Sequence, residues 1–153
     1  MCGFVGIKNF QNSDLDYLHL MSNSIQHRGP DSNKQLVDYP NSLAIAFQRL
    51  SILDLSNNGD QPMHSSSKRY IIAFNGEIYN WNEIKNLNEE FYQFKNDTEV
   101  LVNMHEKFSP FEIPNKIDGM FAYCVYDQKR KKIYFSSDTQ GEKKYFILTM
   151  KII

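Results

Sequence analysis

Met1-Cys2-Gly3-Phe4-Val5-Gly6 places a cysteine directly behind the initiator methionine, at the head of a short apolar run. Loss of Met1 would leave a thiol and a free α-amino group on one residue. That pairing matters because the thiolate is the nucleophile, is sparsely populated at neutral pH, and needs a base within hydrogen-bond reach. An α-amine, with an ordinary pKa of about 7.7–8.0, suits that proton transfer. Taken by themselves the six residues read more readily as a strand with an incidental cysteine, since free cysteine is commonly a small buried hydrophobe.

Working outward, Gly3 to Lys8 is short and partly alternating, as a strand beginning at the N-terminus would be. Asp14 caps a helix predicted to run to about Gln26, with Leu15, Leu18, His19, Met21, Ser22 and Ile25 on one face. Gly29 then suits a left-handed cap and Pro30 forbids continuation. A second strand is expected over 42–48, where Leu43, Ile45 and Phe47 alternate with small residues, and 49–55 continue apolar into a turn at 56–62. A third strand over 69–74 is expected to end at Asn75-Gly76, a strong signal for a tight turn with positive φ, and residues 77–79 return from it. Residues 81–90 read as helix, and Asp97 as the cap of another reaching about Phe108. The nearly continuous apolar run 120–127 predicts a strand buried on both faces, paired with 132–137 across the basic turn Lys129-Arg130-Lys131-Lys132. Residues 145–153 again look strand-like. Tight turns between strands, without regular βαβ alternation, argue for antiparallel sheets with helices on their outer faces, an α+β or four-layer arrangement and not a doubly wound parallel sheet.

The 153 residues, 41% hydrophobic and 23% charged, suit one globular domain. Seventeen basic against eighteen acidic residues leave a net charge of −1, which supplies no electrostatic case for nucleic acid or for an anionic membrane. No apolar run approaches the ~18–20 residues of a membrane helix, and no cleavable leader precedes the first strand. Two cysteines do not make a disulfide scaffold, so reduced thiols in the cytoplasm are expected, and the Asn96-Asp97-Thr98 sequon is discounted. His19, His27, His64 and His105 are scattered, and no metal site is expected.

Asn75 and Gly76 have the chemistry of an oxyanion site, since a side-chain N–H and a backbone N–H can be aimed together at the tetrahedral oxygen that thiolate attack on an amide creates. Arg49, between two apolar runs, is a natural fork for a substrate carboxylate. Asp97 and Glu77 offer acceptors for an ammonium. Each also has a plainer reading, as a turn, a surface ion pair, a helix cap or a solvated edge. Together they describe a pocket for an amino acid.

In order along the chain, Cys2-Gly3-Phe4-Val5-Gly6-Ile7, His27-Arg28-Gly29-Pro30-Asp31, Arg49-Leu50-Ser51-Ile52-Leu53-Asp54, Gln61-Pro62-Met63, Phe74-Asn75-Gly76-Glu77-Ile78-Tyr79-Asn80, Asp97-Thr98-Glu99-Val100-Leu101 and Asp118-Gly119-Met120-Phe121-Ala122 stand out. This set closely resembles the glutaminase domain of glutamine-hydrolysing asparagine synthetases, a class II glutamine amidotransferase of the N-terminal nucleophile hydrolase fold. The resemblance runs from residue 2 to about 146. It implies a four-layer αββα sandwich and hydrolysis of L-glutamine to glutamate and ammonia by Cys2, with its own α-amine as base. By motif match it implies Asn75 and Gly76 as the oxyanion hole and Arg49 as the carboxylate ligand. Glu77 and Asp97 would hold the α-amino end, and Leu50, Ile52 and Leu53 would line the pocket wall. Arg28 looks like a structural or gating arginine beside the nucleophile.

Two departures stand against the resemblance. Ser137-Asp138-Thr139-Gln140-Gly141-Glu142-Lys143-Lys144-Tyr145-Phe146 lacks the arginine and proline common at this place in the family. The sequence given also stops where relatives continue, so residues 1–153 are expected to be one type 2 amidotransferase domain, truncated at its C-terminus and without a synthetase domain. No cofactor is expected in this chain. ATP and Mg would belong to the missing synthetase domain, and an ammonia-accepting domain or subunit is the partner implied. The competing expectations are a truncated, non-catalytic binding module, favoured by the apolar final stretch 147–153, and another N-terminal nucleophile amidohydrolase.

Overall fold

β1 (Gly3–Lys8), β2 (Ser32–Asp38) and β3 (Leu43–Arg49) form a three-stranded antiparallel sheet in the order β1-β3-β2. β4 (Met63–His64), β5 (Tyr70–Ile78), β6 (Gly119–Asp127) and β7 (Lys132–Ser137) form a four-stranded antiparallel sheet in chain order. The structure, a computed structural model, describes residues 2–51 and 59–148.

The side-chain alternation of β3 shows why the sheets stack. Leu43, Ile45 and Phe47 point into one cluster with Ile71 and Ala73 of β5 and Cys124 and Tyr126 of β6, so the apolar faces of the two sheets meet. Ala44 and Ala46 point the other way, and their small size lets α1 (Leu15–Ser24) lie close, Leu18 against them. On the far side, Tyr70, Ile72, Phe74 and Ile78 of β5 meet Val100, Leu101 and Met104 of α3 (Asp97–Lys107) and Ile84 of α2 (Trp81–Asn86). The layers are therefore α1, first sheet, second sheet, then α2 with α3, the four-layer α+β architecture expected. Among the described residues no helix is long and apolar enough to cross a membrane.

Several local expectations are corrected. Asn75-Gly76 makes no turn: both lie within β5, opposite Ala122 and Phe121 of β6, and neither has positive φ. Asn-Gly is a hairpin signal only where the partner strand follows at once, and here the partner is β6, more than forty residues on. Gly29 is not a left-handed cap, with φ −155°, but a point of close approach, where a Cβ would stand 2.4 Å from the Gln48 carbonyl oxygen. Asp14 stands at the N-cap position of α1, as expected, but its side chain makes no cap bond there; it closes the preceding 3-10 turn, its carboxylate accepting from the Gln11 N–H at 2.8 Å. Asn96, not Asp97, caps α3, accepting from the Glu99 N–H at 2.9 Å. The helix expected over 81–90 stops at Asn86, and a separate 3-10 turn covers Glu89–Phe91. His19 and Met21 lie on the exposed side of α1 rather than on its inner face. β2 was not expected at all, because Asn33, Lys34 and Gln35 are exposed on an edge strand and carry no apolar pattern. Residues 145–148 are not strand, and 149–153 lie outside the described residues.

Candidate active site

The antiparallel pairing of β1 with β3 brings the head of the chain to the end of β3. Gly3 stands opposite Gln48, so Cys2 comes alongside Arg49 and Leu50. The Leu50 N–H donates to Cys2 Sγ at 3.4 Å, and the thiol lies 3.7 Å from the Leu50 carbonyl oxygen. Cys2 is half-buried and packs on the inter-sheet cluster that includes Ala73, two residues before Asn75. Arg28 Nε donates to the Cys2 carbonyl at 3.1 Å, fixing the chain at this point. Asp31 ties down the following segment: its N–H donates to the Arg49 carbonyl at 3.1 Å, and its carboxylate accepts from the Ser51 N–H at 2.8 Å.

Arg49 is only 8% exposed, so its charge requires a counter-charge nearby. Asp60 supplies one, with Oδ1 2.9 Å from Nη1, and Asp60 Oδ2 stands 3.5 Å from Lys34 Nζ on β2. Arg49 is thus a buried ion-pair partner, not the surface one that was its plainer reading. Gln61, next along, reaches the second sheet: its side chain donates to the Phe74 carbonyl at 3.1 Å and accepts from the Phe74 N–H at 2.7 Å. Asp60 and Gln61 therefore strap the end of β3 to the middle of β5.

The hydrogen bonds along β5 show what that strand offers. The Phe121 N–H donates to Asp138, on the β7 side of β6, and its carbonyl accepts from the Asp138 N–H there. The Gly76–Phe121 pair is therefore one of the non-hydrogen-bonded pairs of the ladder, and the Gly76 N–H points away from β6. On that outer edge Phe74 is met by Gln61, and the Ile78 N–H donates to Asp97 Oδ2 at 3.1 Å. Between them, no described residue accepts from Gly76. Asn75 shares the inward face of β5 with Ile71 and Ala73, is 8% exposed, and its amide makes no hydrogen bond to a described residue. Two polar donors are thereby left on β5, the Asn75 amide on the face turned towards the first sheet, on which Cys2 packs, and the Gly76 N–H on the outer edge.

Glu77 continues on the same face, partly exposed, and Asp97 is anchored beside it through Ile78. Burial pushes the Asp97 carboxyl above its ordinary range, the nearby Glu77 charge adds to this, and hydrogen bonds from the Ile78 and Thr98 N–H groups offset it only in part. A buried carboxyl so raised beside a second carboxylate is a site that a cation would relieve. Ile52 and Leu53, expected in the pocket wall, lie outside the described residues, whereas Leu50 borders Sγ.

Sequence reading gave Asp60, Gln61 and Asp31 no role in this arrangement: Asp60 fell inside a polar stretch that read as a turn, Gln61 and Asp31 stood out only as parts of motifs, and nothing local shows that Gln61 would bond to β5.

The chain matches the family model described as "Glutamine amidotransferase domain" over residues 1–151. It is 34% identical to asparagine synthetase [glutamine-hydrolyzing] 2 and 37% identical to asparagine synthetase [glutamine-hydrolyzing] 1 of Bacillus subtilis, over 99% and 98% of this chain but 20% and 24% of those proteins. A putative asparagine synthetase [glutamine-hydrolyzing] 2 of Methanocaldococcus jannaschii is 32% identical over 95% of this chain and 32% of its own length. The chain thus spans between a fifth and a third of these relatives. Among solved structures, the glutamine phosphoribosylpyrophosphate amidotransferase of B. subtilis complexed with ADP and GMP superposes with a TM-score of 0.57 at 19% identity, covering 84% of this chain and 35% of that one. At that identity the likeness is one of fold.

Proposed function

The chain belongs to the glutamine amidotransferase domain family, and on that premise we propose that it hydrolyses the side-chain amide of L-glutamine to glutamate and ammonia. Cys2, freed of Met1, attacks the amide carbon, and its own α-amine takes the thiol proton and returns it to the departing ammonia. Water then hydrolyses the thioester to release glutamate. The Asn75 amide and the Gly76 N–H meet the oxyanion in both steps. Arg49 holds the substrate α-carboxylate, Glu77 and Asp97 take its α-ammonium, and Leu50, Ile52 and Leu53 wall the side-chain channel.

The observation that carries this reading is where the strands set these groups. The strand register sets Cys2 beside Arg49, while β5 turns Asn75 inward and leaves Gly76 the unclaimed N–H between two edge positions that side chains already occupy. Ammonia is consumed by a synthetase domain or subunit, which is where ATP and Mg act, and the setting is the cytoplasm. The exposed Phe146, Ile147 and Leu148 support such a partner surface.

The test is glutamate release by the purified chain, with intact mass to establish the loss of Met1. Cys2→Ala should abolish turnover. Glutamate formation undiminished in Cys2→Ala would remove the cysteine from the mechanism.

A further inference from the structure

Asp60 is the residue whose position the proposed reaction does not yet use. It is mostly buried, faces Arg49 at 2.9 Å, and is followed at once by Gln61, which is fastened to both the N–H and the carbonyl of Phe74. Gly59 closes the other side, since a Cβ there would stand 2.5 Å from Arg49 Nη2. One strap thus fixes the guanidinium on β3 relative to the residue preceding Asn75 on β5.

Resting on the glutaminase reading, we propose that Asp60 is a positioning residue for glutamine recognition: it orients the Arg49 fork and sets its spacing from the amide-reactive end of the site. An arginine recognises a carboxylate through planar, directional N–H donors, so its affinity depends on how the plane is held. The second Asp60 oxygen lies 3.5 Å from Lys34 Nζ, so the carboxylate that meets Arg49 is shared between two cations and is held by both. Glutamine must span from that fork to Cys2, so a fork displaced by even a fraction of an ångström is felt in binding more than in the chemistry at the thiol.

Asp60→Asn keeps the volume and removes the charge. It is expected to raise KM for L-glutamine by about tenfold or more while kcat stays within about twofold, and Asp60→Glu should recover part of the loss. Binding is read separately in a Cys2→Ala background. There Asp60→Asn should weaken L-glutamine but leave L-glutaminamide, which lacks the α-carboxylate, essentially unchanged. Thermal unfolding of each variant reports the fold. An unchanged or lowered KM overturns the proposal, the latter by making Asp60 a competitor for Arg49, and so does equal weakening of both ligands, which would mark a merely structural role. If the unsubstituted chain neither hydrolyses nor binds L-glutamine, the glutaminase reading itself fails and the proposal falls with it.

Discussion

Gly76 has no room for a side chain: a Cβ would stand 2.2 Å from the Met120 carbonyl oxygen and 2.7 Å from the Phe121 Cα. Backbone, not a flexible side-chain tip, would have to move. Gly76→Ala should therefore lose activity and also stability, by about 1–3 kcal/mol in urea unfolding, because β5 must part from β6. Asn75→Ala is different in kind. Its amide bonds to no described residue, so truncation should leave the unfolding midpoint nearly untouched while lowering the rate of glutamine hydrolysis about 10²–10³-fold, the usual effect of removing one oxyanion donor. Equal losses of rate and stability in Asn75→Ala would show a structural residue instead. The residue types at this site were legible in the sequence, but their geometry was not. Asn75-Gly76 read as a turn, and the donors it offers arise because a long-range partner keeps β5 extended through that point.

Among the elements, β1, β3, β6 and β7 were readable because their apolar alternation or continuity is local. β2 was not, since an exposed edge strand needs only backbone pairing to β3 and carries no signature of its own. The strap at Asp60-Gln61 was hidden for a related reason. It satisfies the outer edge of β5 with a side chain instead of a strand, and no periodicity records such a bond. Gln61→Ala would strand the buried Phe74 N–H and carbonyl. It is expected to cost about 1–3 kcal/mol of stability and to raise the hydrogen-exchange rate at Phe74 while sparing the β6–β7 ladder. Uniform acceleration along both strands would contradict the local role.

At the scale of the whole molecule, the layer between the second sheet and α3 contains an unpaired polar group. His105 is 2% exposed, lies between the rings of Tyr70 and Tyr123 with centroids at 5.5 and 5.9 Å, and neither ring nitrogen has a hydrogen-bond partner. Burial pushes its pKa down to about 4, against a weaker opposing pull from Asp127. The unfolded chain, with His near 6.5, then binds the proton more readily than the folded one. Stability from this residue is complete above pH 6.5 and is lost as pH falls towards 4, by on the order of 3 kcal/mol. Urea unfolding at pH 7 and pH 5 should show about 2 kcal/mol of that loss, the rest falling below pH 5, and His105→Leu should reduce it; an equal acid loss in the variant would assign it to other groups. The four-layer plan itself was visible in the sequence because it follows from which faces are apolar, whereas the unpaired histidine was not, since burial of a polar side chain depends on the packing of separate elements.

The two thiols permit the most direct test of the central claim. Cys124 is buried between the sheets, and burial raises its pKa to about 12, so it is inert, whereas Cys2 is half-buried at the end of β3. The measurement is intact and peptide mass after incubation with a glutamine analogue bearing a diazoketone in place of the amide. The account predicts a single adduct, on Cys2 of chains that have lost Met1, slowed by excess L-glutamine and absent in Cys2→Ala. An adduct on Cys124, or no protection by L-glutamine, would contradict Cys2 as the nucleophile of a glutamine site.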